Sequence, residues 1–124
     1  MIENLTKDSY HIEITINEPD KEFILNWYGK VTDRSPDTVL TPYFNSIIEA
    51  SDSMKHSVIL NFTKMDYLNS STINCIIMLI RKLSAKNVKS KLIYSRSINW
   101  QALAFSTFEA FLDKRMLFQI SSVK

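Results

Sequence analysis

Glycine is almost absent from this chain: Gly29 is the only one in 124 residues. Loops that cradle phosphate groups need several glycines, so that backbone N–H groups can close around the anion. A single glycine excludes them. Cys75 is likewise the only cysteine, which excludes an internal disulfide and a cysteine-based zinc site. The two histidines, His11 and His56, have no metal-ligand spacing around them, so no metal and no cofactor are expected. Neither sign of charge prevails: 15 Lys and Arg stand against 13 Asp and Glu, a net charge of +2. That near-neutral balance gives no strong pull toward nucleic acid or a membrane surface. No apolar run approaches the roughly 20 residues that span a bilayer. The stretch Met1–Asp8 is too polar for a signal peptide, and a cytoplasmic setting is expected. Glu13, Glu18, Glu22, Asp33 and Asp37 are scattered, and no carboxylate pair suggests acid–base chemistry, so an enzyme is not expected.

What is present is enough for one compact unit. At 45% hydrophobic content, residues 1–124 are expected to form a single domain. Tyr10–Ile16 alternates, with Ile12, Ile14 and Ile16 on one face of a half-buried strand. A turn at Asn17-Glu18-Pro19-Asp20 leads to a second strand, Glu22–Tyr28, ending at Gly29, and the two predict an antiparallel hairpin. A helix then begins at Ser35-Pro36 or at Thr41-Pro42, with Leu40, Tyr43, Phe44, Ile47 and Ile48 as its apolar stripe. Ser90–Ser95 reads as a strand. Asn99 is the expected start of a helix bearing Trp100, Leu103, Phe108, Phe111 and Leu112, and Met116–Ile120 reads as a last edge strand. After the hairpin, helices alternate with strands. That order predicts an α/β fold: a mixed sheet of about four to five strands, its later strands parallel, with helices packed on it.

The chain is organised around Ser57–Ile80. Val58–Phe62 has the apolar run of a strand buried on both faces. From Ile73 the spacing becomes helical, with Ile73, Ile76, Ile77, Ile80 and Leu83 on one stripe, and the helix is expected to reach about Lys86. Between strand and helix stands Asn69-Ser70-Ser71-Thr72. Short hydroxyl and amide side chains cap a helix start, because their oxygens accept backbone N–H groups that lack partners there. The bland reading of Ser70 and Ser71 is therefore a structural cap.

Val58–Phe62 followed by Tyr67-Leu68-Asn69-Ser70-Ser71-Thr72-Ile73 resembles the signature of STAS domains, the anti-sigma factor antagonist family. The order of elements is similar along nearly the whole chain, including the late Trp100-Gln101 helix, which resembles a bacterial STAS-like subgroup. The resemblance implies a STAS-like sheet and a signalling module that changes protein partners according to phosphorylation. In that family the serine after an aspartate is phosphorylated by a histidine-kinase-like serine kinase, and a PP2C-type phosphatase removes the phosphate. The unphosphorylated form binds a partner. By position Ser70 is the implied phosphoacceptor, with Ser71 and Thr72 as second choices. Asn69 stands where the family usually has aspartate, and Thr72 where it usually has glycine. The alternative implied by those two departures is a constitutive adaptor that has lost the switch.

A phosphate adds about −1.5 to −2 charge. At a helix start it would meet the positive end of the helix dipole and free N–H groups, so the domain need not unfold to accept it. In a parallel sheet the loop after the next strand lies at the same edge, which would place Arg96 beside Ser70 as a phosphate partner. Cys75, Met78 and Lys82 are expected opposite the buried stripe of the helix, with Leu79 at its margin and Asn74 near the junction. The expected partner-binding set is thus Asn69, Asn74, Cys75, Met78, Leu79 and Arg96. The implied partners are an anti-sigma-like serine kinase or another regulator and a phosphatase, with the chain itself a monomer or weak homodimer. The basic run Arg81, Lys82, Lys86, Lys89 and Lys91 reads as a solvated helix end favoured by the macrodipole, ahead of a nucleic-acid patch.

Overall fold

The computed structural model describes residues 2–111 and 117–124. In chain order these form β1 (Leu5–Thr6), β2 (Tyr10–Asn17), β3 (Glu22–Val31), α1 (Asp37–Met54), β4 (Ser57–Asn61), β5 (Met65–Leu68), α2 (Ser70–Ala85), β6 (Ser90–Ser95), α3 (Asn99–Ser106) and β7 (Phe118–Val123). A tighter 3-10 turn, Thr107–Phe111, follows α3. The expected α/β class is what the chain adopts, with one mixed sheet in the order β1-β2-β3-β4-β6-β7. β1, β2 and β3 are antiparallel neighbours, whereas β3–β4, β4–β6 and β6–β7 are parallel. Short β5 pairs with the far end of β3, on the edge that β2 leaves free.

The hairpin forms where the turn residues predict it, with the Lys21 N–H donating to the Glu18 carbonyl at 3.2 Å. From β3 onward each crossover steps the same way across the sheet. Right-handed crossovers then put α1, α2 and α3 on one face. Burial follows that rule: Phe23, Leu25 and Trp27 are buried under the helices, while Ile24, Asn26 and Tyr28 on the other face are half-buried. Trp27 packs at 6.0 Å on Phe44 of α1 and at 5.0 Å on Phe62, and Phe62 stacks at 4.8 Å on Phe105 of α3. These rings join sheet and helices into one core. Cover thins along β2, where Ile12 is fully buried, Ile14 half-buried and Ile16 exposed.

Seven strands form among the described residues where four to five are expected, because β1 and β5 carry no readable alternation. β1 is two residues long, and β5 sets exposed Asp66 and Tyr67 between buried Met65 and Leu68. α1 starts at the earlier of its two candidate positions and takes exposed Pro42 within its length. α3 is shorter than its apolar residues suggest, and the 3-10 turn brings Phe108 into the core. The last strand runs Phe118–Val123. Leu112 and Met116, expected in the last helix and last strand, lie outside the described residues. Among those residues no helix is long and apolar enough to cross a membrane.

Two residues shape the end of the sheet from which α2 starts. Gln101 is fully buried, and its Nε2 donates to the carbonyls of Phe62 at 2.7 Å and Met65 at 2.9 Å. Its Oε1 accepts the Ser95 N–H at 2.7 Å, so one side chain satisfies three backbone groups where β4 jogs into β5. Gly29 is not the end of β3 but the point where its pairing with β5 shifts register, and it has a φ of 91°. A Cβ there would stand 2.3 Å from the Ser9 carbonyl oxygen and 2.8 Å from the Tyr10 Cα. Gly29→Ala should therefore cost roughly 2–4 kcal/mol. A urea midpoint unchanged from wild type would contradict this account of the bulge.

Candidate functional site

The strand-to-helix junction is built around Asn69, the N-cap of α2. Its Oδ1 accepts both the Thr72 N–H at 3.0 Å and the Thr72 hydroxyl at 2.6 Å. Its Nδ2 donates to the Asp33 carbonyl at 2.8 Å, and its own N–H donates to the Val31 carbonyl at 3.1 Å. The cap therefore also pins the loop between β3 and α1 to the start of α2. The two positions that depart from the resemblance form one unit. Thr72 donates to Asn69, and Asn69 uses a donor that an aspartate would lack.

The three hydroxyls divide sharply. Thr72 is fully buried with its Oγ1 committed to Asn69, so it is removed as a candidate acceptor: no modifying enzyme can reach it. Ser70 and Ser71 are exposed, and among the described residues neither hydroxyl has a hydrogen-bond partner. The structural cap is Asn69, which leaves both serines unused by the fold.

The face of α2 differs in part from expectation. Asn74 and Met78 are exposed, Met78 at 49%, and they continue the line from Ser71 along the helix. Leu79 is 1% exposed and belongs to the core, because the buried stripe is Thr72, Ile76, Leu79, Ile80 and Leu83, rotated from the one the isoleucines suggest. Cys75 is half-buried against the core. Burial, reinforced by nearby Asp37, pushes its thiol pKa up, which disfavours the nucleophilic thiolate. Beneath the junction, burial pushes the Tyr10 phenol up to about 12, with Asp33 and Cys75 adding to the effect.

Among the described residues Arg96 makes no hydrogen bond to Ser70 and is turned to β7 instead. Its Nη1 lies 3.4 Å from the Ser122 Oγ and 3.5 Å from the Ser122 carbonyl oxygen, on β7. β7 is the neighbour of β6 on the side away from β4. The inserted β5 accounts for this, since after β4 ends at Asn61 it takes the chain along the far end of β3 before α2 begins at Ser70. The arginine that the fold does deliver here is Arg34, exposed and next in the chain to Asp33, whose carbonyl Asn69 holds. The 36-residue separation between Asp33 and Asn69 left no signal of that proximity. An apolar cluster was missed too: Tyr67, 42% exposed, contacts Trp100 at 6.0 Å, and Leu103 on the same helix is 77% exposed. α3 is apolar on most sides, so its sequence does not tell which residues face water.

No protein-family model matches this chain, and no curated protein matches it either.

Asn69→Ala should destabilise the fold by about 2 kcal/mol, because it removes the cap and leaves the Asp33 carbonyl and the Thr72 hydroxyl without partners. Asn69→Asp keeps the acceptor and should lose less than half as much. Equal losses for the two variants in chemical denaturation would refute the assigned division between donor and acceptor.

Proposed function

We infer that this chain is a non-enzymatic, phosphorylation-regulated protein-binding module of the anti-sigma factor antagonist type, with Ser70 as the phosphoacceptor. The observation that carries the reading is the contrast at the head of α2, where Ser70 is exposed and unbonded while the adjoining cap is made entirely by Asn69 and Thr72. Phosphorylating Ser70 breaks no hydrogen bond of the fold.

Two further features support it. The N–H groups of Ser70 and Ser71 precede the first intrahelical bond, which runs from the Ile73 N–H to the Asn69 carbonyl, so they are available to an anion. Arg34 stands in the loop tied to the cap and can pair with an added phosphate. A partner that covers the exposed line of Ser70, Ser71, Asn74 and Met78 would have to bury about two negative charges after phosphorylation. Burying an unpaired ion costs several kcal/mol, enough to release such a partner. Tyr67, Trp100 and Leu103 add apolar area at the same end of the sheet. The implied partners are a serine kinase or another regulator and a phosphatase, and the reading places the chain in the cytoplasm.

The second reading is a constitutive adaptor. It is favoured by Asn69, which has no carboxylate for a kinase to recognise where the family has one. The two diverge on substitution. With partners captured from the native cell by the wild-type chain, Ser70→Asp should weaken binding at least about tenfold, a difference of about 1.4 kcal/mol, while Ser70→Ala should bind as wild type does. Undiminished binding by Ser70→Asp would favour the adaptor.

A further inference from the structure

The other end of the molecule, where α1 and α2 finish and β4 and β6 begin, holds a cleft of about 500 Å³. Lys21, Lys55, Lys86 and Lys89 line it, together with Asp20 and Asp52. It lies the whole length of α2 away from Ser70, about 24 Å for 16 residues. We propose that this cleft is a binding site for a compact anion carrying two or more charges on phosphate groups. The proposal does not rest on the phosphorylation of Ser70.

Charge is the first support. Among the described residues none of the four ammonium groups has a salt bridge or hydrogen-bond partner, although two carboxylates share the cleft. The Asp20 carboxylate turns instead to Asn17, accepting from Nδ2 at 3.0 Å. The bland alternative is that helix dipoles hold these lysines, because both helices end here. Each helix end is worth only about half a charge. Among the groups that line the cleft, two such ends and two carboxylates leave the four lysines a surplus of about one positive charge, and the Glu18 carboxylate behind the wall is engaged by His56.

The backbone is the second support. Among the described residues the non-glycine residues with positive φ are Lys21, Lys55 and Asn87, at 56°, 59° and 59°, and all three line this one cleft. Lys21 follows the turn closed by its own bond to Glu18, and Lys55 is the C-cap of α1. Glycine is the residue that best fits such positions. Here two of them carry ammonium groups. Non-glycine residues in unfavourable backbone conformations cluster where a ligand needs their side chains.

The wall between them is packed and hydrogen-bonded. His56 is 4% exposed, stacks at 4.5 Å on Phe23, and has its Nδ1 at 3.0 Å from the Met54 carbonyl oxygen. Its Nε2 lies 3.2 Å from the Glu18 carboxylate, which ties the hairpin turn bearing Lys21 to the end of α1 bearing Lys55. Ser51 is buried and bonded back to the Ile47 carbonyl at 2.8 Å. These contacts fasten together the turns that carry Lys21 and Lys55. A cleft of this volume is in the range that takes small ligands.

The left-handed positions supply a test that does not threaten the fold, because Lys21→Gly and Lys55→Gly relieve the backbone while removing the charge. Pyrophosphate is titrated into the full chain at fixed ionic strength and followed by amide NMR. Saturable shifts are expected at Lys21, Lys55, His56 and Asn87, with a Kd of about 1 mM or tighter. The Lys21→Gly/Lys55→Gly double variant should be at least as stable as wild type and bind at least about tenfold more weakly. Ser70→Asp should bind unchanged. The absence of saturation, undiminished binding by the double variant, equal binding of sulfate, or shifts spread to Lys7 and Lys124 would each overturn the proposal.

Discussion

One carboxamide holds the strand-to-helix junction together. Asn69 is bonded at once to the helix it starts, through the Thr72 N–H and hydroxyl, and to the loop that enters α1, through the Asp33 carbonyl. Its backbone N–H extends the pairing of β5 with β3 by a further bond to Val31. Everything proposed for Ser70 follows from this economy. Because Asn69 and Thr72 supply the cap, the adjacent serines are left with no structural duty. Had a serine supplied it, modification would have broken the helix start.

The same arrangement decides which hydroxyl can carry charge. A phosphate on Thr72 would be buried beneath α2, at a cost of several kcal/mol per desolvated ion. On Ser70 it would face water and the positive end of a 16-residue helix, where an anion gains about 0.3–1 kcal/mol instead. The sheet reinforces that choice from a distance. α1, α2 and α3 lie on one face, Trp27 and Phe62 anchor α1 and α3 there, and Gln101 secures the jog through which β5 carries the chain outward to Asn69. The lysine cleft is the counterpart at the opposite end of the same helices. Here α1 and α2 end among surplus ammonium groups, whereas at its start α2 presents free N–H groups.

Much of this was legible in the residues. The hairpin, the central strand and the amphipathic α2 each leave a local period, two for strands and 3.6 for helices, and the capping run at Asn69-Ser70-Ser71-Thr72 marks the α2 start. What escaped has no local signature. β5 is too short to show alternation, and its insertion is what takes the chain along the far end of β3 before α2 begins. Ile73 and Leu79 belong to two helical stripes that share Ile76, Ile80 and Leu83, so the true axis of burial waits on where α1 sits. Gln101 gives no hint in sequence that it will be fully buried, because its partners come from Phe62, Met65 and Ser95. The pairing of Asn69 with the Asp33 loop is hidden for the same reason. The lysine cleft gathers side chains from three separate turns, and only Lys86 and Lys89 were visible together as part of a basic run.

The central claim is that Ser70 is free to be modified because its neighbours carry the cap. Site-resolved phosphopeptide mass spectrometry of the chain purified from its native cell tests it most directly. The account predicts phosphate on Ser70 and none on Thr72. Phosphate found on Thr72, or none on either Ser70 or Ser71 in any growth state, would contradict it.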